Sequence, residues 1–248
     1  MVSRRVRGEP LQYILGNQPF GPLTLLTRPP VLIPRPETED WTLRVAELIH
    51  PSPHKPISVL DLCTGSGCIP LLLCHLWPFG SVRAVGADIS AQAIQLASEN
   101  AVICGIERPG GQTTGNTFLP LLANIRDPAF ALSHALHPPF GLVTSNPPYI
   151  TGADYEKLSP SVKDYEDSRA LLGDPEDTGD GRGLTFYHEI ARLAARSGFL
   201  ADDGIVAVEV GIGQADDVAE IFEAEGGLRR TEIWNDPWEV QRVVIGRR

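Results

Sequence analysis

Between residues 57 and 104 the apolar pattern of this chain switches repeatedly between strand-like and helix-like spacing. Ile57–Leu62 is a short apolar run, which predicts a buried strand. Residues 67–77 predict a helix, Val82–Ala87 a second strand, and 91–104 a second helix with Ser90 as its N-cap. Buried strands separated by helices pair in parallel through right-handed crossovers, with helices covering both faces of the sheet. The alternation continues. Thr117–Ala123 and Phe140–Ser145 predict strands three and four, with Pro120 counting against the third. A long loop then precedes a helix over 184–197, a strand Ile205–Val210 and a helix over 214–225. Two last strands, 228–234 and 240–246, have a short connection containing Asp236-Pro237, which suits an antiparallel hairpin at one edge. The pattern predicts a doubly wound α/β fold: a mostly parallel seven-stranded sheet with an antiparallel edge strand.

Upstream, the runs Leu11–Leu15, Leu23–Leu26 and Val31–Ile33 predict a small β-hairpin region with Gly21-Pro22 at its turn. A helix over 37–50 starts at Pro36 and is stopped by Pro51 and Pro53. The expected division is a hairpin segment on the substrate side, 1–36, and a main domain, 37–248.

The 248 residues carry 21 Lys+Arg against 31 Asp+Glu, a net charge of −10. Phosphate binding needs a local excess of cations, so this balance argues against direct nucleic-acid binding. Cys63, Cys68, Cys74 and Cys104 form no C-x-x-C pair, and the histidines do not cluster near them, so no metal site is expected. Free thiols point to a reducing, intracellular compartment. No apolar run reaches the ~18 residues of a membrane span. Met1–Arg7 lacks the apolar core of a secretory signal. A monomer is expected.

Two segments carry chemistry. In the first, Cys63-Thr64-Gly65-Ser66-Gly67 follows a predicted strand and opens a predicted helix, and Asp88 ends the next strand. Glycines let the backbone approach a ligand closely, and a carboxylate at that strand end accepts bonds from ribose hydroxyls. A dinucleotide fingerprint needs a third glycine where Pro70 stands. Its absence counts against NAD and FAD and favours a nucleoside without a pyrophosphate, S-adenosylmethionine. The second segment, Asn146-Pro147-Pro148-Tyr149, follows strand four at the carboxyl edge of the sheet, where such folds bind ligands. Consecutive prolines stiffen the loop and leave carbonyls able to accept. With the Asn146 amide oxygen they can hold both hydrogens of an NH₂ group, and Tyr149 offers an aromatic face. An amide or aromatic amine is a poor nucleophile. Two acceptors can orient it and stabilise the positive charge that grows on nitrogen.

Together these residues resemble the release factor glutamine N5-methyltransferase family. Gly8–Gly16, the segment Leu32-Ile33-Pro34-Arg35-Pro36-Glu37-Thr38-Glu39, the loop Asn146–Ile150 and Gly181–Tyr187 are similar to family segments, so the resemblance covers nearly the whole chain. It implies the class I S-adenosylmethionine-dependent methyltransferase fold and methyl transfer to the glutamine of a Gly-Gly-Gln motif in a peptide-chain release factor. It further implies that residues 63–67 line the methionine part of the cofactor, Asp88 the ribose and Ile125 the adenine. Arg35 and Glu37 would order the pocket from the side. Asn146 and the Pro147 carbonyl would grip the substrate amide beside Pro148 and Tyr149. Three departures stand out: Cys63 replaces a common glycine, Asn124 a common aspartate, and the family's N-terminal helical domain is expected to be absent. Release factors work beside ribosomes. The Pro/Gly-rich insertions add the expectation of a mitochondrial matrix setting, with cytoplasm otherwise.

Other features favour plainer readings. Gly110-Gly111-Gln112 spells the substrate tripeptide but reads as a chance triplet. Asp174–Asp180 fits no calcium loop. His75 and His188 read as core or surface residues, and Trp234 and Trp238 as packing residues rather than a base-stacking platform. Two alternatives stay open: an adenine-N6 methyltransferase acting on DNA or RNA, and a catalytically silent binding partner.

Overall fold

The structure is a computed structural model, and it describes residues 1–110, 113–175 and 179–248. Two short helices, α1 (Val2–Val6) and α2 (Leu11–Leu15), lead into the hairpin β1 (Asn17–Phe20) and β2 (Leu23–Leu26). Then come α3 (Pro36–Leu48), β3 (Ile57–Leu62), α4 (Cys68–Leu76), β4 (Val82–Asp88), α5 (Ala91–Ile103), β5 (Thr117–Leu122) and β6 (Phe140–Ser145). After the short helices α6 (Gly152–Tyr155) and α7 (Pro160–Lys163), the chain closes with α8 (Thr185–Ala195), β7 (Leu200–Glu209), α9 (Ala215–Ala224), β8 (Arg230–Asn235) and β9 (Gln241–Arg247).

Seven strands form one sheet in the order β5-β4-β3-β6-β7-β9-β8. The first five pair in parallel, while β9 runs antiparallel to both of its neighbours. The expected edge hairpin is β8–β9, and its reversed member inserts between β7 and the edge strand. Strand side chains alternate between faces, and consecutive residues accordingly enter different cores. Leu60, Val85, Val206, Val208 and Val244 pack with α8 and α9. Val59, Ala84, Leu142, Ala207 and Ile245 pack with α3, α4 and α5.

Local chemistry accounts for the boundaries. Pro36 opens α3 with Glu37 and Glu39 in its first turn. The Ser90 side chain accepts from the Ala93 amide and caps α5. Pro120 is tolerated because β5 is an edge strand.

Three expectations need correction. Leu11–Leu15 is a helix rather than hairpin strand, closed by Gly16 in the left-handed conformation. Strand β7 starts at Leu200, not 205, because a register shift against β6 between Phe140 and Leu142 lets it extend backwards. Trp238 is exposed, whereas Trp234 stacks under the Arg44 guanidinium. The hairpin itself sits where expected, with Gly21-Pro22 between its strands. Phe20, Leu23 and Leu25 join the core beside Trp41. Gly111 and Gln112, and Glu176 and Asp177 of the acidic stretch, lie outside the described residues.

Candidate active site

Strands β3 and β6 are neighbours, so the loops at their carboxyl ends meet. Asp61, buried on β3, ties them together. It accepts from Thr64 Oγ1 at 2.6 Å and from Thr144 Oγ1 at 2.7 Å. Burial pushes its carboxyl up to about 7, against the pull of those two hydroxyls.

The glycine loop leaves β3 through Cys63 at φ 57, a left-handed backbone conformation that suits glycine. Burial pushes the Cys63 thiol upwards, so it stays protonated at neutral pH. Gly67 precedes α4 at φ 80, and a Cβ there would crowd Ala97 and Phe118 at 3.2 Å. Asp88 clasps the loop from the end of β4. Its Oδ2 accepts from the Gly65 amide at 2.9 Å, and its Oδ1 accepts from Ser90 N–H at 2.8 Å. Burial raises the Asp88 carboxyl, opposed by these two amides.

A cavity of about 660 Å³ opens over these strand ends, bordered by Cys63, Gly65, Asp88, Ile125, Asn146 and Pro148. A smaller pocket of about 130 Å³ is bordered by Arg35, Asn146, Pro147, Tyr149 and Ile150. The two share Leu32, Asn146 and Ala170. The larger one fits an adenosyl cofactor. Each Asp88 oxygen accepts one amide and keeps lone pairs for a hydroxyl, and Ile89 and Ile125 offer apolar walls for a base.

Not every expected residue reaches this cavity. Thr64 turns back to Asp61, and Ser66 is buried with its carbonyl accepting from Asn100 Nδ2 at 3.0 Å. Thr64, Ser66 and Gly67 therefore shape the loop rather than border the space. Arg35 borders the small pocket instead, held by Glu166 at 2.5 Å, and Glu37 borders neither. The geometric reason is the direction of entry into α3. Its first turn meets the loop after β6, where Thr38 Oγ1 accepts from Asn146 Nδ2.

Several residues to which the sequence reading gave no role support the Asn146–Tyr149 loop. Asn146 Nδ2 donates to Thr38 Oγ1 at 3.0 Å. Thr38 Oγ1 and Trp41 Nε1 donate to Glu209 Oε2 at 2.6 and 3.0 Å, and the Tyr149 hydroxyl donates to Oε1 at 3.2 Å. Burial raises the Glu209 carboxyl; the bonds from Thr38 and Trp41 and the charge of Arg242 oppose that. Gln214 Nε2 donates to the Tyr149 carbonyl at 3.0 Å. Gly183, at φ 73, packs so closely that a Cβ would lie 2.3 Å from that same carbonyl oxygen. Thr38 and Gly183 lie in segments that the sequence reading singled out as family-like, without a role for either; Glu209, Trp41 and Gln214 carried no motif.

No protein-family model matches the chain. It is 40% identical over 250 residues to the release factor glutamine methyltransferase of Geobacter sulfurreducens, covering 100% of this chain and 76% of that protein. It belongs to the release factor glutamine methyltransferase family. The release factor glutamine methyltransferase of Thermodesulfovibrio yellowstonii is 33% identical over 245 residues, covering 99% of this chain and 78% of that protein. The chain thus spans about three quarters of the length of these family members. A methyltransferase from Pyrococcus furiosus shares the fold, with a TM-score of 0.61 at 13% identity, covering 100% of this chain and 98% of that one. Both family members named are bacterial and lend no support to a mitochondrial setting. Among the described residues no helix is long and apolar enough to cross a membrane, and no group of His, Cys, Asp and Glu is placed to hold a metal.

Proposed function

We propose that this chain methylates the side-chain amide nitrogen of the glutamine in a release factor's Gly-Gly-Gln motif, using S-adenosylmethionine. The observation that carries the reading is the position of Asn146 on the wall common to the two cavities. In this assignment the large cavity holds the cofactor and the small pocket holds the glutamine side chain. Bound cofactor supplies an electrophilic methyl group.

The chain's own residues do the rest. Asp88 holds the ribose. The Asn146 amide oxygen and the Pro147 carbonyl accept the two N–H bonds of the substrate amide. Its nitrogen lone pair is thereby aimed across the shared wall, and the reacting atoms are aligned for in-line displacement. As the nitrogen bonds to carbon, positive charge grows on it, and the two oxygen dipoles stabilise that charge. The methylated nitrogen then loses its proton readily, so no general base is needed before attack. Residues 1–36 reach the substrate side through Leu32 and Arg35, which border the small pocket, while Val31 and Leu32 also wall the cofactor cavity. The reading places the chain in a compartment that contains ribosomes.

The test uses labelled S-adenosylmethionine and a release factor. Label is expected on the motif glutamine. Asn146→Ala should lower kcat by about a hundredfold or more while cofactor affinity stays within about twofold. A cofactor-bound enzyme that leaves the glutamine unlabelled would overturn the reading.

A further inference from the structure

We propose that Glu209, acting through the Thr38 hydroxyl, decides which end of the Asn146 carboxamide faces the substrate. The inference rests on the reading that Asn146 grips the substrate amide. The oxygen and nitrogen of a carboxamide are nearly the same size, so packing cannot choose between its two orientations; only hydrogen-bond polarity can.

That polarity is forced along a chain of four groups. The Trp41 indole N–H can only donate, so Glu209 Oε2, 3.0 Å away, must accept. Thr38 Oγ1 lies 2.6 Å from the same oxygen and spends its single hydrogen there. What Thr38 can still offer is lone pairs. The Asn146 atom 3.0 Å from it must therefore be the NH₂ nitrogen. The amide oxygen is left pointing away from Thr38, the one orientation in which it can accept from a substrate NH₂. Thr38, Trp41 and Glu209 are each 1% exposed, so bulk water does not compete for these bonds.

The opposite orientation would set an NH₂ donor against the substrate's own NH₂ donors and lose the alignment. Glu209 touches no substrate; it is a positioning residue. It also accepts from the Tyr149 hydroxyl at 3.2 Å, so both polar side chains of the loop answer to one buried carboxylate.

Kinetics of single and double variants test the proposal. Thr38→Val, which keeps the shape and removes the hydroxyl, should lower kcat by about tenfold to a hundredfold, with KM and cofactor affinity within about threefold. Thr38→Ser restores the hydroxyl and should recover kcat to within about fivefold. Glu209→Leu should match Thr38→Val. Glu209→Gln should stay within about fivefold, because the indole N–H of Trp41 holds its amide oxygen towards Thr38. In an Asn146→Ala background, Thr38→Val should add little further loss.

Wild-type kcat in Thr38→Val, or full multiplication of its effect with Asn146→Ala, would overturn the proposal. If Thr38→Val does not fold, the Glu209→Gln variant decides. A hundredfold loss with an unchanged melting temperature would show that charge, not bond polarity, is what matters, and the proposal falls. Failure of the underlying function looks different: the wild-type protein itself would leave the glutamine unmethylated.

Discussion

Cys63 holds a backbone conformation that costs a side-chain-bearing residue about 1 kcal/mol. The strain is confined to one residue because its neighbours are pinned: the Thr64 amide donates to the Ala87 carbonyl at 3.0 Å and the Gly65 amide to Asp88. Asp61 stores more. Burial pushes its folded carboxyl up to about 7 from an ordinary 3.8. A carboxyl raised on folding binds its proton more tightly in the native state. Its contribution is fully present below about pH 4 and is lost as pH rises through 7. Thermal unfolding followed from pH 4 to 8 should therefore show a falling contribution of at most about 4 kcal/mol. Asp61→Asn should flatten that slope and be the more stable protein at pH 8, since its amide can still pair with Thr64 and Thr144. An unchanged slope in the variant would place the titration elsewhere.

The loop after β6 is an element whose stiffness comes from two sources. Pro147 and Pro148 restrict it locally. Its far end is clamped by contacts from distant segments: Ile150 N–H donates to the Leu171 carbonyl at 2.8 Å, Gly173 N–H to the Ile150 carbonyl at 3.0 Å, and Gly183 lies against Tyr149. Gly183→Ala adds a methyl where no space exists, in a backbone region that disfavours it. It should cost about 2–3 kcal/mol in denaturant unfolding. It should also lower kcat more than it weakens cofactor binding, because Tyr149 moves while Asp88 does not. Equal losses in both would mean that the clamp supports the whole cleft. Elsewhere, edge position explains Pro120, and a left-handed Gly16 explains why five residues at Leu11–Leu15 end as a helix.

At the scale of the molecule, strand order decides the site. In β5-β4-β3-β6-β7 the chain runs outwards from β3 in one direction, then returns to add β6 and β7 on the other side. Where the direction reverses, the loops after β3 and β6 diverge and leave a crevice, the usual ligand position in such sheets. A ligand that binds only the native crevice must stabilise the whole fold. S-adenosylmethionine at a hundred times its Kd should add about 2.7 kcal/mol to unfolding stability. Asp88→Ala should abolish most of that gain at the same ligand concentration; an undiminished gain would show the ribose to be held by other groups.

Much of this was legible along the chain. The seven strands and the longer helices follow from short-range apolar periodicity, because a residue's burial depends on which face of its own element it occupies. The sequence reading put Cys63, Gly65, Asp88 and Asn146 at strand ends, and the fold brings these four to one cavity; Thr64, Ser66 and Gly67 do not border it, because tertiary contacts decide which side chains turn inwards. The four-residue helices α6 and α7 were not legible, since so few residues carry no periodicity. Nor was the support of Asn146. Its partner Thr38 is 108 positions away, and Thr38 lies 171 positions from Glu209. Hydrogen-bond polarity passes between side chains only after α3, β6 and β7 have packed, and no local pattern encodes that meeting. The residue types and their order select the fold and the kind of chemistry; folded proximity selects which end of the Asn146 carboxamide faces the substrate.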